Sequence, residues 1–109
     1  MQNNANFKFI ARKTLELLSS KLEEILEDTA EIEETEDILK ILLADMTILL
    51  NLHAPSNQIW LSSPLSGALH FFWDETQAKW ISTRSSSEDL FSCLEKDLSH
   101  FCKFPVLLK

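Results

Sequence analysis

Glycine and proline are scarce in this sequence, which has one glycine and three prolines among 109 residues. Both residue types mark turns and flexible connections, so their scarcity argues against long linkers. The length is close to the commonest size of one domain. Residues 1–109 are therefore predicted to form a single domain with one core.

Cysteine is also scarce, since Cys93 and Cys102 are the two in the sequence and lie nine positions apart. This is neither the CxxC spacing of a redox pair nor the spacing of a zinc finger, and two thiols hardly make a disulfide framework. We interpret both as reduced thiols in a reducing compartment, where a buried cysteine behaves as a small apolar residue.

Long apolar runs are missing. Segments such as ILKILLA fall far short of the roughly 20 residues that span a bilayer, so no transmembrane helix is predicted. No secretory signal is recognised either. Lys8, Arg12 and Lys13 precede the first acidic residue, Glu16, in a pattern faintly similar to a transit peptide, but they lead into helical periodicity and are assigned to the fold.

Basic residues are outnumbered by acidic ones, ten against seventeen, which gives a formal net charge of −7. Nine of the seventeen acidic residues lie between Glu23 and Asp37. Nucleic acid is disfavoured as a partner, because phosphate binding requires a basic patch. Cations or a basic protein surface are the partners that such a field attracts.

Helical periodicity begins near Phe7 and ends near Glu27. Glu16, Glu23 and Glu27 project in nearly one direction, away from the apolar stripe, and predict an exposed acidic line. The line continues in TAEIEE, where acidic and apolar residues alternate as in a strand. The apolar stripe recurs at intervals of three and four and comprises Ala11, Leu15, Leu18, Leu22, Ile25 and Leu26.

Short strands fill the middle of the sequence. DILKILLA and MTILLNLH predict a hairpin with AD as its turn, and QIWLSS, ALHFFW and KWIST predict three further strands. In PLSG, Pro64 and Gly67 supply a turn. Ser87 is predicted to be the N-cap of a second helix. The core face of that helix is predicted to comprise Leu90, Phe91, Leu94 and Leu98.

These elements predict an α+β fold: a two-layer α/β sandwich with an antiparallel sheet of about six strands, covered on one face by an N-terminal and a C-terminal helix. The short connections require antiparallel pairing. The apolar tail FCKFPVLLK is expected to lie back along the helices. The second face of the sheet is left to solvent.

Trp60 is predicted to lie on this uncovered face, because it alternates with Ile59 and Leu61 in the strand. An indole ring folded over the neighbouring strands would be the purely structural explanation. Exposed tryptophan is also enriched at binding hot spots, where it buries a large area and retains one N–H donor. We interpret Trp60 as a side chain kept outside for a partner to cover.

The stretch NQIWLSSPLSGALHF, with NLHAP before it, resembles the signature of the frataxin family, Q-[IV]-W-L-S-S-P-x-S-G followed by an aromatic-rich strand. The order of elements and the acidic first helix and strand agree with that family over nearly all of the chain. The resemblance implies a single frataxin-like domain in which Trp80 is the buried tryptophan of the sheet. Leu52 and His53 stand where Lys and Gln are usual in eukaryotic members, and Phe72 replaces a usual Asp.

The resemblance implies an iron-binding protein that docks on the cysteine desulfurase–scaffold complex and regulates or supplies iron for iron–sulfur cluster assembly. It implies a monomer, with iron-dependent oligomers as an alternative, in a mitochondrion or a mitochondrion-derived organelle, or else in bacterial cytoplasm. Weakly bound iron, Fe²⁺ or Fe³⁺, would lie on an acidic ridge comprising Glu16, Glu23, Glu24, Glu27, Asp28, Glu31 and Glu33. The docking surface would comprise Asn51, Gln58, Trp60 and His70.

Other functions stay open at this point. Clustered carboxylates offer hard oxygen ligands, but without His or Cys they do not build a tight transition-metal cage. A ferroxidase that oxidises Fe²⁺ on the ridge is the enzymatic alternative, although no di-iron set with Glu-x-x-His is visible. An acidic scaffold without metal function is the third. His53, His70 and His100 lie on separate elements, which disfavours a histidine metal site, and no nucleophile elbow indicates a hydrolase.

Overall fold

The structure is a computed structural model that describes residues 4–108. Within that range the chain forms two α-helices and six strands, with short 3₁₀ turns at Glu27–Thr29 and Ala54–Ser56. In chain order these are α1 (Asn4–Leu26), β1 (Glu31–Glu34), β2 (Ile38–Leu42), β3 (Thr47–His53), β4 (Gln58–Ser63), β5 (Gly67–Asp74), β6 (Lys79–Ser82) and α2 (Leu90–Cys102).

The six strands form one antiparallel sheet in the order β1-β2-β3-β4-β5-β6, so every strand pairs with its neighbour in sequence. Short connections allow only this up-and-down order. The α+β sandwich and its antiparallel sheet are confirmed. No helix in residues 4–108 is long and apolar enough to cross a membrane.

One core lies between the helices and the sheet. Both helices contribute their apolar stripe to it, as does every second residue of the central strands. Phe91, which was predicted on the core face of α2, is half-buried beside the fully buried Leu90 and Leu94. Side chains with no more than 1% exposure include Phe7, Leu15, Leu18 and Leu22 from α1, and Leu39, Ile48, Leu50, Ile59, Leu61 and Phe71 from the sheet.

The N-cap of α2 differs from the prediction, because it is Asp89 rather than Ser87. The Asp89 carboxylate accepts a hydrogen bond of 2.7 Å from the backbone N–H of Ser92. Glu88 and Asp89 pair with β6. The Ser82 N–H donates to Glu88 O over 2.9 Å, and Ile81 forms an isolated β-bridge with Asp89. The helix can begin only after this pairing ends.

Left-handed backbone positions outnumber the single glycine. Gly67, with φ of 80°, occupies the predicted turn between β4 and β5. Glu27, Asn57, Ala78 and Lys103 also have positive φ, although each carries a Cβ. Glu27, at 36°, ends α1 one residue before the predicted boundary. Residues with a Cβ therefore adopt the left-handed conformation at turns and helix ends where glycine would be unstrained.

The C-terminal tail returns along both helices, as predicted. Val106 N–H donates to Ser99 Oγ over 2.8 Å, and Leu108 N–H donates to Glu95 Oε2 over 2.7 Å, both on α2. The ammonium group of Lys21 on α1 donates to Leu108 O over 2.9 Å. Val106 and Leu108 are each 1% exposed, so the tail belongs to the core.

Candidate docking and metal-binding surfaces

The acidic ridge begins on α1, passes over the 3₁₀ turn and ends on β1. All its members are exposed: Glu16, Glu23, Glu24, Glu27, Asp28, Glu31 and Glu33. Two of them have weak local partners. Lys13 Nζ lies 3.9 Å from Glu16 Oε1, and Ser19 Oγ donates to Glu23 Oε1 over 3.3 Å. The ridge is therefore an open, solvated row of carboxylates.

Two acids that follow the ridge have a different environment. Arg12 on α1 lies 3.3 Å from Glu36 Oε2 and 3.2 Å from Asp37 Oδ1, and so ties the helix to the β1–β2 turn. These two carboxylates already have a cationic partner. The ridge carboxylates and the exposed Glu34 are left to attract other cations.

The donor set of the ridge limits the metal that it can hold. In the part of the chain that the structure describes, no three His, Cys, Asp or Glu side chains converge into a metal site. Isolated carboxylates on a convex surface suit hard cations and bind them weakly, with most ligands supplied by water. The donor set of the ridge therefore fits a weakly held hard cation and does not fit a closed transition-metal centre.

The predicted docking residues come together on the uncovered face of the sheet. Asn51 pairs with Trp60 across β3 and β4, and Trp60 pairs with His70 across β4 and β5. The three form one row perpendicular to the strands. Gln58 lies on the same face, two residues from Trp60, and its Oε1 accepts a 2.8 Å hydrogen bond from Trp60 Nε1–H. All four are half-buried.

Trp60 is covered on both faces of its ring. The His53 imidazole stacks on one side at a centroid distance of 3.7 Å and an interplanar angle of 14°. The His70 imidazole stacks at 4.2 Å and 10°. We call His53, Trp60 and His70 the ring stack. The alternative of an indole folded flat over the strands is wrong, because two parallel imidazoles flank it.

His53 was not among the residues predicted for this surface. The sequence carried one signal that could have found it: from Met46 to Trp73 there is no Asp, Glu, Lys or Arg. In a chain with net charge −7, this stretch supplies β3, β4 and most of β5, and its outward residues form an uncharged surface. His53 is the outward residue at the end of β3.

The SSPLSG turn beside this surface is held by a buried carboxylate. Asp97 on α2 is 0% exposed and accepts hydrogen bonds from Ser63 Oγ at 2.6 Å and from Ser66 Oγ at 2.7 Å. Ser63 Oγ in turn accepts the N–H of Leu65 over 3.2 Å. Two serines of the motif therefore fasten the β4–β5 turn to the helix layer.

Trp80 lies on the opposite, helix-covered face and is 3% exposed. Its Nε1–H donates to Thr14 Oγ1 over 2.9 Å, and its ring meets Phe7 and Trp73 edge to face at 6.0 and 5.4 Å. The prediction of a buried tryptophan is confirmed. Trp73, Trp80 and Leu90 line an open pocket of about 340 Å³ on this side, remote from the ring stack.

Both cysteines are free thiols, as predicted, and Cys93 is buried. Burial raises the pKa of the Cys93 thiol, and the nearby carboxylate of Glu88 raises it further. Burial alone raises the pKa of Cys102. Neither is an activated nucleophile, because a raised thiol pKa leaves little thiolate at neutral pH.

Taken together, the layers and surfaces define a two-layer α+β domain with an acidic helix–strand ridge and an uncharged, tryptophan-centred sheet face. The Frataxin-like domain family matches residues 1–104. The chain belongs to the frataxin family.

Curated relatives agree with this assignment. Mitochondrial frataxin of Arabidopsis thaliana is 33% identical over 94% of this chain and 57% of its own length. The mitochondrial frataxin homolog of Schizosaccharomyces pombe is 30% identical over 92% of the chain and 66% of its own length. The chain thus spans between about half and two thirds of these relatives. Their mitochondrial location supports the location expected from the sequence.

Solved structures share the fold. A frataxin from Psychromonas ingrahamii superposes with a TM-score of 0.86 at 20% identity, covering 99% of each chain. Trimeric frataxin from Saccharomyces cerevisiae, complexed with ferrous iron, superposes with a TM-score of 0.72 at 30% identity, covering 84% of this chain and 83% of its own.

Proposed function

We propose that this chain binds iron on the acidic ridge, docks through the uncharged sheet face onto a cysteine desulfurase–scaffold complex, and regulates or supplies iron for iron–sulfur cluster assembly. One observation carries the proposal: a row of Asn51, Trp60 and His70 crosses an otherwise uncovered sheet face. An aromatic residue in an uncharged patch is the usual centre of a protein interface.

The ridge supports the iron part of the proposal by its chemistry and by its position. Glu31 and Glu33 project from β1 on the same side of the sheet as the Trp60 row, because Glu33 pairs with Lys40 and Lys40 pairs with Leu49. A partner that covers the row therefore lies close to the acids of β1. We propose that the chain acts as a monomer, with iron-dependent oligomers as the alternative.

Docking is tested by binding of a purified desulfurase–scaffold complex to the immobilised chain. Trp60→Ala should weaken binding about thirtyfold, the loss expected for a hot spot of about 2 kcal/mol. The substitution should cost the fold about 1–3 kcal/mol, because two ring contacts are lost. Thr47→Ala, on the same face but away from the row, is the matched control.

Sulfide release from cysteine by the complex is measured in the same samples. A change of rate in either direction on addition of the chain supports regulation, and Trp60→Ala should abolish that change. If the folded wild-type chain neither binds the complex nor alters its rate, docking is refuted.

Iron binding is tested by anaerobic titration with Fe²⁺, followed by NMR line broadening. Broadening should concentrate between Glu16 and Glu33, with a dissociation constant on the order of micromolar or weaker, and Mn²⁺ or Ca²⁺ should compete. Glu24→Gln with Glu31→Gln should weaken binding. Asp45→Asn with Glu75→Gln removes the same charge from two exposed turns outside the ridge and should leave binding unchanged.

Broadening centred on the histidines would refute the ridge as the site. Saturable loss of Fe²⁺ under air, dependent on the ridge carboxylates, would instead favour a ferroxidase.

A further inference from the structure

The ring stack fixes the orientation of Trp60 before any partner arrives. With His53 at 3.7 Å and His70 at 4.2 Å, both π-faces of the indole are occupied, and each imidazole is parallel to it within 14°. The ring N–H is also engaged, since it donates to Gln58 Oε1. What the indole retains for a partner is its edge.

His53 is held in place by its own contacts. Its Nδ1 lies 2.7 Å from Ser56 Oγ in the 3₁₀ turn Ala54–Ser56. Asn57, in the left-handed conformation, closes that turn, and the register then sets His53 opposite Gln58. The imidazole therefore reaches Trp60 diagonally across the two strands, a distance that large side chains can bridge.

A depression of about 140 Å³ adjoins the stack. Trp60 and His70 of the stack line it together with Leu49, Asn51, Ser62 and Ala68, and its walls are mainly apolar. The face therefore offers a raised row of ring edges beside a shallow hole. Such a surface fits a protein segment in which one aliphatic side chain inserts into the depression and an apolar concave region packs against the ring edges.

We propose that His53, Trp60 and His70 act as one preorganised docking element, in which the two imidazoles hold the indole upright and the partner meets ring edges rather than the indole face. His53 is then a positioning residue, since it acts through Trp60. This rests on the proposed docking function. The gain in affinity comes from ordering a large side chain in advance, which removes part of the entropic cost of binding.

The test compares His53→Ala, His53→Phe and, as a control histidine on α2, His100→Ala. Binding to the purified desulfurase–scaffold complex should weaken about five- to tenfold in His53→Ala. His53→Phe keeps a flat ring over the indole and should restore most of the affinity. His100→Ala should bind as the wild type does, because this exposed side chain lies away from the sheet face.

A spectroscopic readout on the free protein separates positioning from general destabilisation. The indole N–H signal of Trp60, identified by its loss in Trp60→Phe, should shift and exchange faster with water in His53→Ala. The signals of Trp73 and Trp80 should stay in place. Melting curves recorded alongside show that all variants are folded at the assay temperature.

The outcomes are distinguishable. Weaker docking of His53→Ala, rescue by His53→Phe and a selective change at Trp60 support the proposal. If the wild type docks and His53→Ala docks equally well, the positioning role is overturned while the docking function stands. Unchanged Trp60 signals in His53→Ala also overturn it. Failure of the wild type to dock refutes the docking function and, with it, the role of the stack.

Discussion

Asp97→Ala should be among the most destabilising single changes in this chain that leave the apolar core intact. The carboxylate is fully buried and accepts hydrogen bonds from Ser63 and Ser66 at 2.6 and 2.7 Å. Hydrogen bonds to charged groups contribute about 1.5–3 kcal/mol each, so the loss of both should cost about 3–6 kcal/mol. That is a large share of the roughly 5–15 kcal/mol by which domains are stable.

Asp97→Asn should cost less, about 1–2 kcal/mol, and the contacts of the serines explain why. Ser63 Oγ already accepts the Leu65 N–H, so its own hydrogen should be donated to the carbonyl oxygen of the new amide. The amide NH₂ then faces Ser66, whose hydroxyl can turn round and accept. The hydrogen bond from Ser63 therefore loses its charge assistance, and the hydrogen bond with Ser66 reverses its direction.

Urea unfolding at neutral pH measures these differences. Ser62→Ala is the matched control, since Ser62 is the neighbouring serine of the same motif but is exposed on the other face of the sheet. Ser66→Ala combined with Asp97→Ala gives a double-mutant cycle, and a contact pair should show coupling well above about 0.5 kcal/mol. Additive effects, or a cost of Asp97→Ala no greater than that of Ser62→Ala, would refute the reasoning.

Two further predictions concern the ridge and the thiols. Glu23→Gln with Glu27→Gln should raise the melting temperature by about 1–2 °C at low salt, because like-charge repulsion is relieved, and by less at high salt. A lower melting temperature in a thermal scan would mean that these acids are structurally paired. The raised pKa of the buried Cys93 thiol means that the unfolded chain ionises first, near the ordinary value of 9.0. Its contribution to stability is therefore complete below that pH and is lost as the pH rises through the folded-state pKa. Cys93→Ala should reduce the alkaline loss in urea melts, and iodoacetamide should modify Cys102 before Cys93 in the native protein; equal rates would contradict the burial of Cys93.

Periodicity was sufficient to predict the layers of this fold. The alternation through Ile59, Trp60 and Leu61 placed the tryptophan outside, and the structure confirms that the two aliphatic neighbours are buried. The short connections between the strands predicted antiparallel pairing, because parallel neighbours need a longer crossover. These features depend on local spacing, which a single sequence displays.

Features that depend on long-range contacts were missed. Ser87 is the N-cap that the sequence predicts, but the pairing of Glu88 and Asp89 with β6 delays the start of the helix, so that Asp89 caps it. The ring stack depends on the register between β3 and β4, which the conformation of Asn57 helps to set. The hydrogen bonds of Asp97 with Ser66 and Ser63 join residues that lie 31 and 34 positions apart in the sequence. Nothing in local periodicity indicates that a carboxylate on the apolar face of a helix has such partners.

The arrangement of the sheet links the two proposed surfaces physically. A continuous line of paired residues runs from Glu33 through Lys40 and Leu49 to Ser62, beside Trp60. A basic partner that covers the uncharged face would therefore also approach the carboxylates of β1, where it would compete with a weakly held cation for the same charge. If iron is cargo, this geometry favours its release from the β1 end of the ridge when the partner docks. The carboxylates on α1 lie on the helix layer, outside that line, and would retain their cations.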